Sequence, residues 1–194
     1  MTTRRVTGLV LAGGRSSRFG RDKLAERLDG RTLLDSAIDG LTPASTEILV
    51  VAAPEAAPDL PEGARLVHDP VAFEGPLAGV AAGLHAAREP FVLVVGGDMP
   101  TLVGAVIDSM LISLEEPGRD AVVLEHDGRA RPLPMALRRE PALKAADLLL
   151  ASGERRLRAL AEALGAAVVP EATWRALDPY GMTVRDIDTP ADLA

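Results

Sequence analysis

Cysteine is absent from the 194 residues, which removes disulfides, thiolate metal sites and cysteine nucleophiles together and makes the cytoplasm the expected compartment. Aromatic residues are nearly as scarce, at 3% against a hydrophobic fraction of 47%. A core of adequate size is therefore available, but only from Ala, Leu and Val. No apolar run approaches the roughly 20 residues of a membrane-spanning helix. Gly13 and Arg15 also interrupt the first apolar segment before it reads as a secretory signal, so no membrane partner is expected. Basic charge is not in surplus. A formal net charge of −7 argues against a nucleic-acid partner, whose phosphates attract basic faces. Histidine is confined to His68, His85 and His126, none of which falls in the motifs described below; each reads as structural or exposed.

What is present is a regular alternation. Val6 to Ala12 is a buried-strand run ending at Gly13-Gly14, and Thr32 to Leu41 follows with helical spacing. Glu47 to Ala53 and Ala64 to His68 read as strands, Leu77 to Arg88 as an alanine-rich helix, and Phe91 to Gly96 as another strand. Thr101 to Glu115 is helical by pattern, with Thr101 as its cap. Strands alternating with helices imply right-handed parallel βαβ units with helices on both faces. Asp120 to Leu124 and Arg129 to Leu137 flank Asp127-Gly128, a hairpin signal, so an antiparallel piece joins the sheet. Helices follow over Glu140 to Ala151 and Glu154 to Leu164, then strands at Ala166 to Val169 and Met182 to Ile187; Thr189-Pro190 opens a final helix. The expectation is a single domain over residues 1–194.

Three loops carry the chemistry. Leu11-Ala-Gly-Gly-Arg-Ser-Ser-Arg-Phe-Gly-Arg-Asp-Lys23 places glycines directly after a strand, where backbone N–H groups can approach an anion. Arg15, Arg18, Arg21 and Lys23 then form a basic island opposed only by Asp22, suited to charge-assisted contacts with a small polyanion. The spacing fits neither the Walker loop nor the dinucleotide fingerprint. Gly96-Gly97-Asp98-Met99-Pro100 puts a carboxylate at the carboxyl end of a buried strand, where ligands of open α/β sheets gather. Such an Asp serves either as a helix N-cap or as a ligand holding Mg²⁺ between phosphates. Asp69 precedes Gly75-Pro-Leu-Ala-Gly79, which reads as close helix–sheet packing or as helix N–H groups facing a ligand.

These segments resemble those of the MobA-like nucleotidyltransferases, over a span from about Val6 to Leu193. The resemblance implies a three-layer Rossmann-like nucleotidyltransferase fold, with a mostly parallel sheet and an antiparallel piece. It implies nucleotide contacts for Leu11, Ala12, Gly13, Gly14 and Asp69, phosphate roles for Arg18 and Lys23, and Asp98 as nucleotide and Mg²⁺ ligand. Asp186 and Asp188 stand where the family usually has Asn; they read as helix caps or as a second carboxylate near the metal. The sequence departs from the family at Ala52-Ala53-Pro54-Glu55, where Asn often contacts the base, and at Arg131-Pro132, where His-Pro serves the acceptor side.

The implied reaction is attack by an acceptor phosphate on the α-phosphorus of an NTP, with release of pyrophosphate. Catalysis then rests on Arg18, Lys23, Asp98 and Mg²⁺ through positioning and electrostatics. The resemblance points to GTP and a molybdopterin-type acceptor, with a protein partner for cofactor handover. The alternatives are cytidylyl transfer to molybdopterin, a sugar 1-phosphate or phospholactate acceptor, and a non-catalytic nucleotide-binding protein.

Overall fold

The computed structural model describes residues 4–13, 23–69 and 75–193. Its centre is a seven-stranded sheet. In chain order the strands are β1 (Val6–Leu11), β4 (Glu47–Ala52), β5 (Ala64–His68), β6 (Phe91–Gly96), β7 (Ala121–His126), β8 (Arg129–Arg138) and β9 (Ala167–Val169). The short β2 (Arg27–Leu28) and β3 (Arg31–Thr32) pair with each other in a separate ribbon. Spatial order is β5-β4-β1-β6-β8-β7-β9. All neighbours in the large sheet are parallel except those of β8, which runs against both β6 and β7. The Asp127-Gly128 turn joins β7 to β8 with positive φ at both residues, as the hairpin reading requires.

Both faces of the sheet are covered. Leu9, Leu49, Val92, Val94 and Val123 point to one side, and Val10, Val50, Leu93, Val95 and Val122 to the other. A strand buried on both faces reads as a continuous apolar run, whereas the alternation decides which face each side chain feeds. The first side packs against α2 (Pro76–Ala86), α4 (Arg139–Ala151) and α5 (Leu157–Ala163). The second packs against α1 (Leu33–Leu41) and α3 (Gly104–Glu115), with Trp174 of α6 (Glu171–Arg175) fully buried there. The result is the expected three-layer α/β arrangement with a mostly parallel sheet.

Several local expectations fail for identifiable reasons. Thr101 does not cap α3, which starts at Gly104; its N-cap residue Val103 instead donates its N–H to Thr183 Oγ1 at 3.1 Å, a buried hydroxyl 80 positions away. Met182 to Ile187 is not a strand. β6 already has β1 and β8 as neighbours, and Met182–Val184 forms a 3₁₀ turn after left-handed Gly181. The buried Asp178 holds that turn, accepting the N–H groups of Met182 at 3.0 Å and Thr183 at 2.8 Å. The last expected helix is a 3₁₀ turn over Pro190–Leu193, and the helix expected from Glu154 begins at Leu157.

Candidate active site

The carboxyl ends of β4, β1 and β6 are stitched together above the sheet. Ala12 donates its N–H to Val51 O at 2.7 Å, Asp69 to Ala52 O at 2.9 Å, and Gly97 to Leu11 O at 3.0 Å. Gly96, the last residue of β6, and Gly97 after it are required by close approach. A Cβ on Gly96 would collide with the Asp98 carboxylate, and one on Gly97 would lie 3.3 Å from Leu11 O and 3.1 Å from Leu24 Cδ1. Met99 then turns inward, fully buried, and its Sδ accepts the Gly96 N–H at 3.4 Å. With Met99 pinned in the core, Asp98 is left at the rim.

Lys23 crosses to this rim from the far end of the glycine-rich loop. Its Nζ lies 2.9 Å from Asp98 Oδ2 and 3.1 Å from Asp188 Oδ1, with only 13% of the Lys23 side chain exposed. Burial works against the ammonium charge, but the hydrogen bonds and charges of Asp98 and Asp188 outweigh it and hold the Lys23 pKa above its ordinary value. Asp188 is carried there by the C-terminal segment, whose Ile187 N–H donates to Asp98 O at 2.9 Å. Neighbouring Asp186 pairs with Arg131 at 2.6 Å. Burial, the dominant influence, raises the Asp186 pKa, the Arg131 guanidinium opposes it, and the charges of Asp98 and Asp188 add to the rise.

The structure thus brings together Lys23, Asp98 and Asp188, with Leu11, Ala12 and Gly13 at the end of β1 and Asp69 at the end of β5. Asp69 sits over α2, its Oδ2 4.0 Å from where a Cβ of Gly79 would stand. Gly14 and Arg18 lie outside the described residues, as do Arg15 and Arg21. Asp98 is not a helix cap, because α3 begins six residues later. Nor do Asp186 and Asp188 cap the last turn: their carboxylates meet Arg131 and Lys23. Asp192 does so, accepting the N–H groups of Asp188 at 3.0 Å and Thr189 at 2.7 Å. At the start of α2, one N–H group read as free for a ligand is taken by protein, since Leu77 donates to Arg155 O at 3.4 Å.

Two features escaped local sequence reasoning. The Arg131–Asp186 pair spans 55 positions, and only the departure from His-Pro at Arg131 hinted at it. A cleft of about 270 Å³ lies beside Ala12, walled by Leu24, Leu34, Ala56 and Pro58 and bordered by Asp59. The signal for its outer wall was the proline-punctuated loop after β4. A second acidic group lies at the β7–β8 turn, where ligating atoms of His126, Asp127 and Glu171 fall within 4.8 Å of one another. The Glu171 oxygens in it are already engaged. Glu171 accepts the Asp127 N–H at 2.8 Å and faces His126 Nδ1 at 3.1 Å, while Glu125 accepts the Glu171 N–H at 2.9 Å. The Asp127 N–H is the leading cause holding the Glu171 carboxyl below the ordinary range. Among the described residues no helix is long and apolar enough to cross a membrane.

Glycines at a strand end, a lysine bridging two carboxylates and an adjoining apolar cleft thus meet at the carboxyl edge of a mainly parallel α/β sheet. Solved structures agree on the fold: molybdopterin-guanine dinucleotide biosynthesis protein A from Archaeoglobus fulgidus superposes with a TM-score of 0.79 at 24% identity, over 96% of this chain and 94% of that one. The 2-C-methyl-D-erythritol 4-phosphate cytidylyltransferase of Thermus thermophilus gives 0.69 at 22% identity, over 95% and 94%. Residues 8–169 match the MobA-like NTP transferase domain, and the chain belongs to that family. Curated relatives include a probable molybdenum cofactor guanylyltransferase of Chloroflexus aggregans, 38% identical over 97% of this chain and 91% of its own length. One from Mycobacterium avium is 37% identical over 97% and 93%.

Proposed function

We propose that this chain, acting as a single domain in the cytoplasm, transfers GMP from GTP to a molybdopterin-type acceptor and releases pyrophosphate. The observation that carries the reading is the convergence of Lys23, Asp98 and Asp188 at the carboxyl ends of β1 and β6, beside an apolar cleft of about 270 Å³. The relatives named above supply the choice of guanylyl transfer and of acceptor.

The donor set suits Mg²⁺. Asp98 and Asp188 present hard carboxylate oxygens to one cationic centre, now the Lys23 ammonium, and oxygen donors of this kind bind Mg²⁺ together with substrate phosphates. Asp98 would hold the ion, with Asp188 as the second carboxylate, and the bound ion would neutralise charge on the phosphates. The remaining work falls to the chain itself. Gly13 lets the backbone approach the triphosphate without a Cβ in the way. Lys23, kept charged by its two carboxylates, counters the charge that develops as pyrophosphate leaves, a role shared with Arg18. Asp69 fixes the nucleoside end. A phosphate monoester is itself a nucleophile, so no side chain is needed as general base. The histidines fit this: His126 is held by Glu171 and Trp174, and His85 pairs with Asp147 at 3.1 Å.

The test is pyrophosphate release from GTP with and without molybdopterin, preceded by thermal shifts with GTP, CTP, ATP and UTP, each with and without Mg²⁺. Mg²⁺-dependent stabilisation by GTP and acceptor-dependent turnover are expected. A preference for CTP would move the chain to cytidylyl transfer, and nucleotide affinity without turnover would make it a binding protein; either overturns the proposal.

A further inference from the structure

The cleft beside Ala12 has mostly aliphatic walls, and its polar groups are few. Thr32 borders it, but the Thr32 hydroxyl is committed to the Asp35 N–H at 3.0 Å as the cap of α1. Asp59 is the one ionisable side chain on the lining among the described residues. It makes no hydrogen bond or ion pair among the described residues.

The loop that carries Asp59 is built to hold it still. Pro54, Pro58 and Pro61 punctuate the stretch between β4 and β5, fixing φ at three points and favouring extended backbone at the residues before them. Ala56 closes one turn onto Ala53 O at 3.0 Å, and Ala64 another onto Pro61 O at 3.2 Å. Leu60 packs against the core. Leu60 packs on the same cluster as the cleft walls Leu24 and Leu34, which fixes the loop beside the cleft and leaves Asp59 solvent-exposed at its mouth.

Resting on the guanylyltransferase reading, we infer that Asp59 selects the base, its carboxylate accepting both N1–H and the N2 amino group of guanine. Guanine alone among the common bases offers two adjacent donors to a single carboxylate. Adenine presents an N1 acceptor there, cytosine an N3 acceptor, and uracil a lone donor flanked by carbonyls. The apolar walls give the ring a slot, and Asp59 at its mouth meets the base edge, so an analogue that lacks either donor loses one of the two bonds. The base contact that the family draws from an Asn after the second strand has no such residue here, where Ala52, Ala53 and Pro54 stand.

The experiment is calorimetric titration of the full chain in Mg²⁺ with GTP, inosine triphosphate and xanthosine triphosphate, on wild type, Asp59→Asn and Glu62→Gln. Glu62 is an exposed carboxylate of the same loop and not part of the cleft lining. Wild type should favour GTP over inosine triphosphate, which lacks the N2 amino group. Asp59→Asn should lose GTP affinity by roughly ten- to hundredfold, the scale of a bidentate base contact. It should also gain affinity for xanthosine triphosphate, because the Asn amide donates to the carbonyl that replaces the amino group. Glu62→Gln should match wild type. An unchanged GTP-to-xanthosine ratio in Asp59→Asn, or equal loss of all three nucleotides, would overturn this assignment alone. A wild-type chain that binds no GTP would instead sink the functional reading beneath it.

Discussion

The carboxyl edge of the sheet carries an acidic cluster at each of two places, and they differ in what meets their oxygens. At the end of β6, Asp98, Asp186 and Asp188 face the side chains of Lys23 and Arg131. At the end of β7, Glu125 and Glu171 each accept a backbone N–H group, Glu171 also meeting His126 and Arg175, and the Glu125 carbonyl takes the indole N–H of the buried Trp174 at 2.7 Å. A carboxylate that accepts main-chain amides is part of the fold, because releasing it orphans a backbone donor. A carboxylate that meets only the ends of long cationic side chains can exchange them for a ligand without unmaking anything else. Acidity alone marks both places; the partner separates a site from a clasp.

The sharpest way to break that contrast is at Asp98. Asp98→Asn should reduce pyrophosphate release by roughly 10²–10³-fold, the scale of losing one preorganised electrostatic contact, while its unfolding midpoint stays near wild type. A collapse of the midpoint would assign the β6 cluster to the fold. Lys23→Met should follow, with turnover down about 10²-fold and the defect unrelieved by added Mg²⁺.

The opposite behaviour is expected at Asp178, which is buried and accepts the amides of Met182 and Thr183. Asp178→Ala should cost about 1–3 kcal/mol of stability by leaving those donors unmet, read from denaturant midpoints. Its pH dependence has a definite sign. Burial alone would raise the Asp178 pKa, but the amides of Thr183 and Met182 overcome this and lower it. The stabilisation is therefore complete above the unfolded aspartate value near pH ~3.9 and is lost as pH falls through the lower folded value. The gap between wild type and Asp178→Ala should close in that acidic window. The smallest effect is expected from Trp174→Phe, about 1 kcal/mol from the unpaired Glu125 carbonyl, with turnover intact.

How far the sequence reveals this follows from how far apart the partners lie. The central strands were legible because each carries its own period and its own glycine stop. Asp98 was legible because Gly96, Gly97 and Met99 are its immediate neighbours and prepare its position. The C-terminal stretch misled, because Met182 to Val184 has strand composition while its conformation is set by Asp178 and by a sheet with no place left beside β6. The cap of α3 came from Thr183, which no pattern around Thr101 could reveal. The same holds for Asp188: its placement depends on Ile187 reaching the Asp98 carbonyl, a contact between segments that local periodicity never brings together.

That contact also sets a clock. Lys23 and Asp188 are 165 positions apart, so a chain emerging at about 5–20 residues per second exposes the lysine roughly ten to thirty seconds before its second carboxylate exists. The helix-covered sheet can form during that interval, since β1, β4 and β6 and their helices all precede Asp188. The Lys23–Asp188 contact is thus added to a sheet that can already stand, and the segment around Asp188 acts as a latch laid across its carboxyl edge.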